Sequence, residues 1–248
     1  MSAVAGQGRT GRVASGGSLI FQIGFHRCGT TALAAFFERC GLACVHYDRG
    51  RLGRRLRGNL AAGRPPLAGY ERYRAFANMQ YEDGADYFDG MRCFRELYAA
   101  YDARFVLNSR PLDNWLQSLA VHYARRPPAL GLPCLEARFG TTDPARVADG
   151  WRALREAHHR QVRAELPRER LLVFDIESDA PERLCEFIGV PQACARHYRV
   201  ENPSLNRLGH ALAACLPFAV KRALPGRLKR PVKRWLGASP GQNPDRDG

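Results

Sequence analysis

The sequence predicts an α/β protein, a three-layer α/β/α domain around a central parallel sheet of four to five strands. Three observations carry that prediction. Short apolar runs near Leu19, Val45, Val106 and Leu172 are separated by segments with helical periodicity, and strands alternating with helices imply parallel crossovers. The first run passes through a glycine-bounded loop straight into a helix-like stretch. A chain of 248 residues with 45% hydrophobic and 25% charged residues has globular composition. It is long enough to bury a sizeable core and short for two domains.

Each element has its own signal. Leu19, Ile20, Phe21 and Ile23 form the first strand, and Gly24 ends it. Thr30 and Thr31 open a helix whose apolar positions, Leu33, Phe36, Phe37 and Cys40, recur at spacings of three and four. Leu42 to Tyr47 is a short strand ending in His46-Tyr47-Asp48. Arg49 to Leu67 begins as a basic helix and breaks at Gly63, Pro65 and Pro66. Tyr70 to Tyr81 is aromatic-rich and holds a third strand or a substrate-facing wall. Glu82, Asp83, Asp86 and Asp89 form an acidic patch, expected to be a solvated face without chemistry. Met91 to Tyr101 is helical, Arg104 to Asn108 is a buried strand, and Pro111 starts a helix with Asp113 in its first turn. Pro127 to Thr142 is expected to be a loop-rich insertion. Asp143 caps a long helix from Pro144 to Leu166, Leu171 to Ile176 is the strongest strand, and a short helix from Pro181 ends at Gly189.

Composition narrows the function classes. No run approaches the roughly 20 apolar residues of a spanning helix. Residues 1–17 lack the apolar core of a secretory signal and are expected to be a disordered lead-in to a domain over 18–206. The eight cysteines show no Cys-x-x-Cys pair and no zinc-type spacing with His, so they are expected to be reduced residues of a cytoplasmic protein. The net charge is +14, and half of it lies in a basic extension over 207–248. There Phe218, Leu224, Leu228 and Trp235 alternate with Lys221, Arg222, Lys229 and Lys233. Such a stretch fits peripheral contact with an anionic inner membrane face, or a tail packed on the domain. No DNA- or RNA-binding module is recognisable, so no nucleic acid partner is expected.

The junction over Gly24 to Thr31 is an anion site in outline. The first N–H groups of a helix have no internal partner, and the helix dipole adds partial positive charge there. Gly24, four residues and Gly29 match the start of a Walker A loop, but Thr30 stands where that loop requires Lys. The cation is Arg27, inside the loop.

His26-Arg27-Cys28-Gly29-Thr30-Thr31 resembles the 5′-phosphosulfate loop of sulfotransferases that use 3′-phosphoadenosine-5′-phosphosulfate (PAPS), whose pattern is Pro-Lys-Ser/Thr-Gly-Thr-Thr. Arg27 replaces Lys and Cys28 replaces the hydroxyl residue. Arg110 and Ser118, eight residues apart after the strand Phe105-Val106-Leu107, are similar to the family's second signature. Asn108-Ser109 and Pro111 depart from it. The likeness extends to about Pro191 and is nearest the bacterial branch. It implies a P-loop NTPase-like sulfotransferase fold and PAPS as sulfuryl donor, with no metal. It further implies binding of the donor by Arg27, Cys28, Gly29, Thr30, Thr31, Arg110 and Ser118. Arg27 would also stabilise the leaving phosphate.

The acceptor's hydroxyl or amine needs a base. His46, at the end of the second strand, is the first candidate and Asp48 the second, either as base or to orient His46. His122, one turn beyond Ser118, is a further histidine near the crevice, while His158 and His159 are expected to be structural. The acceptor is a small molecule, glycan or lipid, selected by the segments 49–89 and 127–142. A small-molecule kinase, with Asp175 as a Walker B-like acid, and a non-catalytic anion- or membrane-binding protein are the alternatives.

Overall fold

The computed structural model describes residues 18–199; the lead-in and the basic extension fall outside the described residues. Seven strands run β1 (Leu19–Gln22), β2 (Cys44–His46), β3 (Ala75–Ala77), β4 (Gln80–Asp83), β5 (Asp86–Asp89), β6 (Ala103–Ser109) and β7 (Leu171–Asp175). Between them lie α1 (Thr30–Arg39), α2 (Arg51–Ala61), α3 (Phe94–Ala100), α4 (Leu112–Arg125), α5 (Pro128–Phe139) and α6 (Pro144–Glu165), and α7 (Glu182–Ile188) follows β7.

Five strands form one parallel sheet in the order β2-β3-β1-β6-β7, the α/β architecture and strand number expected. The register is set by apolar pairs: Phe21 lies between Phe76 and Phe105, with ring centroids 5.3 and 5.4 Å away. Both sheet faces are covered. One core gathers Phe21, Phe25, Trp115 and Trp151, and the other gathers Leu33, Phe36, Phe37, Phe174 and Leu184. Strands buried on both faces read as continuous apolar runs, which is why they were legible. The strand order reverses at β1, with β3 on one side and β6 on the other. Ligands bind at the carboxyl ends of strands beside such a reversal.

Two expectations are corrected. The segment Pro127 to Thr142 is not loop-rich, because α5 occupies Pro128–Phe139. Its signal is weak because Pro133 lies inside it, and Leu130 and Leu132 are exposed while Gly131, Cys134 and Leu135 are buried. Exposed Leu130 and Leu132 therefore blur the buried stripe formed by Gly131, Cys134 and Leu135. The acidic patch is only half solvated. It folds into the β4–β5 hairpin, where Gln80 pairs with Asp89 and Glu82 with Tyr87. Strand alternation then sends Glu82 and Asp89 to one face and Asp83 and Asp86 to the other. The first two side chains are 5% and 6% exposed and pair with Arg138 of α5. Asp83 and Asp86 meet Arg54 and Arg57 of α2 at the surface.

Candidate sulfuryl-donor site

The loop between β1 and α1 is stitched to the end of β6 by one side chain. Asn108 is fully buried. Its Oδ1 accepts from the Gly24 N–H at 2.9 Å and from Gln22, and its Nδ2 donates to the Cys28 carbonyl at 2.5 Å. Gly24 is required by this approach: a Cβ there would lie 2.0 Å from the Asn108 carbonyl oxygen. Trp115 of α4 adds a hydrogen bond from Nε1 to the His26 carbonyl at 2.9 Å. The loop is thus fixed from β6 and α4 together.

Its open side faces the N-terminus of α1. Gly29 precedes the helix in the left-handed conformation, with φ 73°. No side chain caps the helix and its first turn holds no acid, so the N–H groups of Thr30 and Thr31 point away from any intrahelical acceptor. Arg27, at the crest, adopts φ 66°, a backbone region that costs energy for a residue with a Cβ and recurs at ligand sites. Its Nε donates to Ser118 Oγ at 3.0 Å. Among the described residues no carboxylate lies within ion-pair distance of Arg27. Burial, then the like charges of Arg110 and Arg125, lower its pKa. A half-buried guanidinium beside other cations and without a counter-ion favours an anion.

Arg110 leaves the carboxyl end of β6. Its Nη1 donates to the Arg27 carbonyl at 3.3 Å, and its fork grips Glu177, with Nε to Oε1 at 2.8 Å. Asn114 Nδ2 donates to the other oxygen of Glu177 at 2.7 Å. Buried Arg155, from α6, bonds the Arg110 carbonyl at 2.5 Å and Ser109 Oγ at 2.6 Å. The two signatures therefore meet: Arg27, Arg110 and Ser118 share one cluster although Arg27 and Ser118 are 91 residues apart. Asn108, Arg155 and Glu177 were not singled out as functional from the sequence. Asn108-Ser109 appeared there only as a departure from a known pattern. Their bonds span 45 to 84 positions and leave no local spacing to read.

The remaining site residues divide. Cys28 is 1% exposed, and burial pushes its thiol up to about 12, so it is a neutral thiol turned into the core. Thr30 is buried and Thr31 exposed. His46 Nε2 lies 3.2 Å from Thr30 Oγ1, beside the donor loop, and burial lowers its pKa. Asp48 lies apart from the imidazole: its carboxylate receives Arg51 at 2.7 Å and the Tyr70 hydroxyl at 2.8 Å. His122 packs 5.7 Å from His26, ring to ring. His158 is structural, with Nε2 2.8 Å from the Ile23 carbonyl.

Residues 19–207 match the family model described as a sulfotransferase domain. That match covers most of the chain, and the protein belongs to the sulfotransferase family. No curated protein matches it closely enough to count as a relative.

Proposed function

We propose that this sulfotransferase moves the sulfuryl group of PAPS to a hydroxyl or amine of a small-molecule, glycan or lipid acceptor. The observation that carries the reading is the cluster of Arg27, Arg110 and Ser118 at an uncapped helix N-terminus. A donor with phosphates at both its 3′ and 5′ positions would use both parts. The 5′-phosphosulfate takes the N–H groups of Gly29, Thr30 and Thr31, and the 3′-phosphate takes Arg110 and Ser118. Glu177 holds the Arg110 fork until a phosphate replaces it. Cys28 contributes its backbone, since its thiol faces inward.

The chemistry follows from placement. The acceptor's oxygen or nitrogen bonds to sulfur as the bond from sulfur to the bridging phosphate oxygen breaks. The electron pair passes to the 5′-phosphate, and Arg27 with the helix N-terminus stabilises it. His46 takes the acceptor's proton. Its lowered pKa keeps the imidazole neutral, and so able to accept, across the neutral range. The enzyme is placed in the cytoplasm, with the basic residues after Arg207 against an anionic membrane face.

Labelled PAPS incubated with the full chain and a cell extract tests this directly: a labelled, chain-dependent product is expected, and its absence across extracts counts against transfer. His46→Ala should lower kcat by roughly 100-fold or more while binding of adenosine 3′,5′-bisphosphate persists. Unchanged kcat would remove His46 from the base role.

A further inference from the structure

A second cationic site lies where the chain leaves β2. A cavity of 790 Å³ is bounded by Asp48, by Arg51, Arg54 and Arg55 of α2, and by the turn carrying Tyr70, Arg72 and Tyr73. Its lining holds four arginines against two acids, Asp48 and Glu71, and the Glu71 charge is felt by Arg55. Asp48 holds Arg51 and the Tyr70 hydroxyl, and Glu71 accepts the Gly69 N–H at 2.7 Å. Arg54 is paired with Asp83 at 2.8 Å. Among the described residues no carboxylate lies within ion-pair distance of Arg55 or Arg72. Both lie against aromatic rings. Arg55 lies 5.9 Å from the Tyr70 centroid, and Arg72 lies 4.7 Å from that of Tyr73 and donates to its hydroxyl at 2.6 Å. The two rings pack together at 5.8 Å. Cation–π contact favours these placements of the two guanidinium groups. Two guanidinium forks bordering one cavity suit the paired oxygens of a carboxylate or phosphate.

The cavity is tied to the donor site through the backbone. Asp48 follows His46 by two residues, which places their Cα atoms within about 7 Å. The connection is strained, with φ of 61°, 46° and 53° at Tyr47, Asp48 and Arg49, three consecutive residues in a region that favours glycine. The end of β2 thus carries His46 at the donor loop and then turns sharply into the cavity wall.

We infer that Arg55 and Arg72 bind the acidic group of an acidic acceptor, whose nucleophilic group is then presented near His46. The role as an acceptor site rests on the sulfuryl-transfer reading; the binding of an oxyanion does not. The excess of arginines over acids in the lining favours an anion over a neutral ring.

The test uses the full chain and three probes: 4-nitrophenyl β-D-glucuronide, its uncharged glucoside counterpart, and 4-nitrophenyl phosphate, titrated by NMR. The glucuronide or the phosphate should bind saturably, and whichever binds tighter identifies carboxylate or phosphate as the preferred group. The glucoside should bind about tenfold more weakly or not at all. Arg55→Gln with Arg72→Gln should weaken the acidic probe by about tenfold. Both side chains are exposed, so the thermal midpoint and the affinity for adenosine 3′,5′-bisphosphate should hold. A glucoside that binds as tightly as the better acid, no saturable binding of either acid, or undiminished binding by the double variant would overturn the inference. Normal binding of an acidic probe by a chain that ignores the bisphosphate would uphold the oxyanion site and contradict the sulfuryl-transfer reading.

Discussion

Arg27 donates to the Ser118 hydroxyl and Arg110 to the Arg27 carbonyl, yet only Arg110 is paired with a carboxylate, that of Glu177. That imbalance is what a phosphate ester would relieve. The same loop buries a titratable group. His26 is 4% exposed, packs on Trp151 at 5.4 Å, and neither ring nitrogen has a hydrogen-bond partner among the described residues. Burial lowers its pKa from 6.5 to about 4. The unfolded chain therefore binds a proton at His26 between these two values that the folded chain does not, and stability falls as pH drops through that window. The loss is on the order of 3 kcal/mol by pH 4, and the lowered pKa of Glu82 acts in the same direction. Thermal unfolding from pH 7 to 4 should show a shallower decline in His26→Gln than in the parent chain; equal slopes would exclude His26 as a cause. At this scale the sequence was informative where the chemistry is local. Gly29-Thr30-Thr31 and the eight-residue step from Arg110 to Ser118 were readable because each is a short local pattern that resembles a family signature. The partners of Arg110 and Asn108 were not, because tertiary packing alone brings them together.

Among elements, α5 and the β4–β5 hairpin define each other. Arg138 is 3% exposed in its side chain, grips Asp89, and lies 4.0 Å from the Tyr87 ring centroid and 4.8 Å from that of Trp151. A charge so enclosed is tolerable only with its partners in place. Arg138→Met keeps the apolar stem but leaves Asp89 buried with its pair broken, and should cost roughly 3–5 kcal/mol. Chemical denaturation would measure it, and a loss below about 1 kcal/mol would mean that α5 docks by apolar contact alone. The two misread segments have separate causes. Charge along a strand says little about exposure when the matching cation lies 49 residues away, and exposed Leu130 and Leu132 mask the buried stripe of α5. The sheet strands were legible for the opposite reason, since burial on both faces requires nothing beyond an unbroken apolar run.

For the whole molecule, the sheet order places both signatures at the same edge. β1 and β6 are neighbours, so the loop after one and the arginine after the other share the crevice where the strand order reverses. The family match over 19–207 agrees with that topology. No helix among the described residues is long and apolar enough to cross a membrane. The basic extension is proposed as a peripheral anchor. Co-sedimentation with phosphatidylserine vesicles should fall sharply when the chain is cut after residue 206, and equal sedimentation of both forms would assign the contact elsewhere. Titration calorimetry with adenosine 3′,5′-bisphosphate against ATP–Mg decides the identity of the donor. Tight binding of the bisphosphate is expected, weakened by at least about tenfold in Arg110→Ala, with little heat from ATP–Mg. Preference for ATP–Mg, or a bisphosphate affinity indifferent to Arg110, would contradict PAPS as the donor.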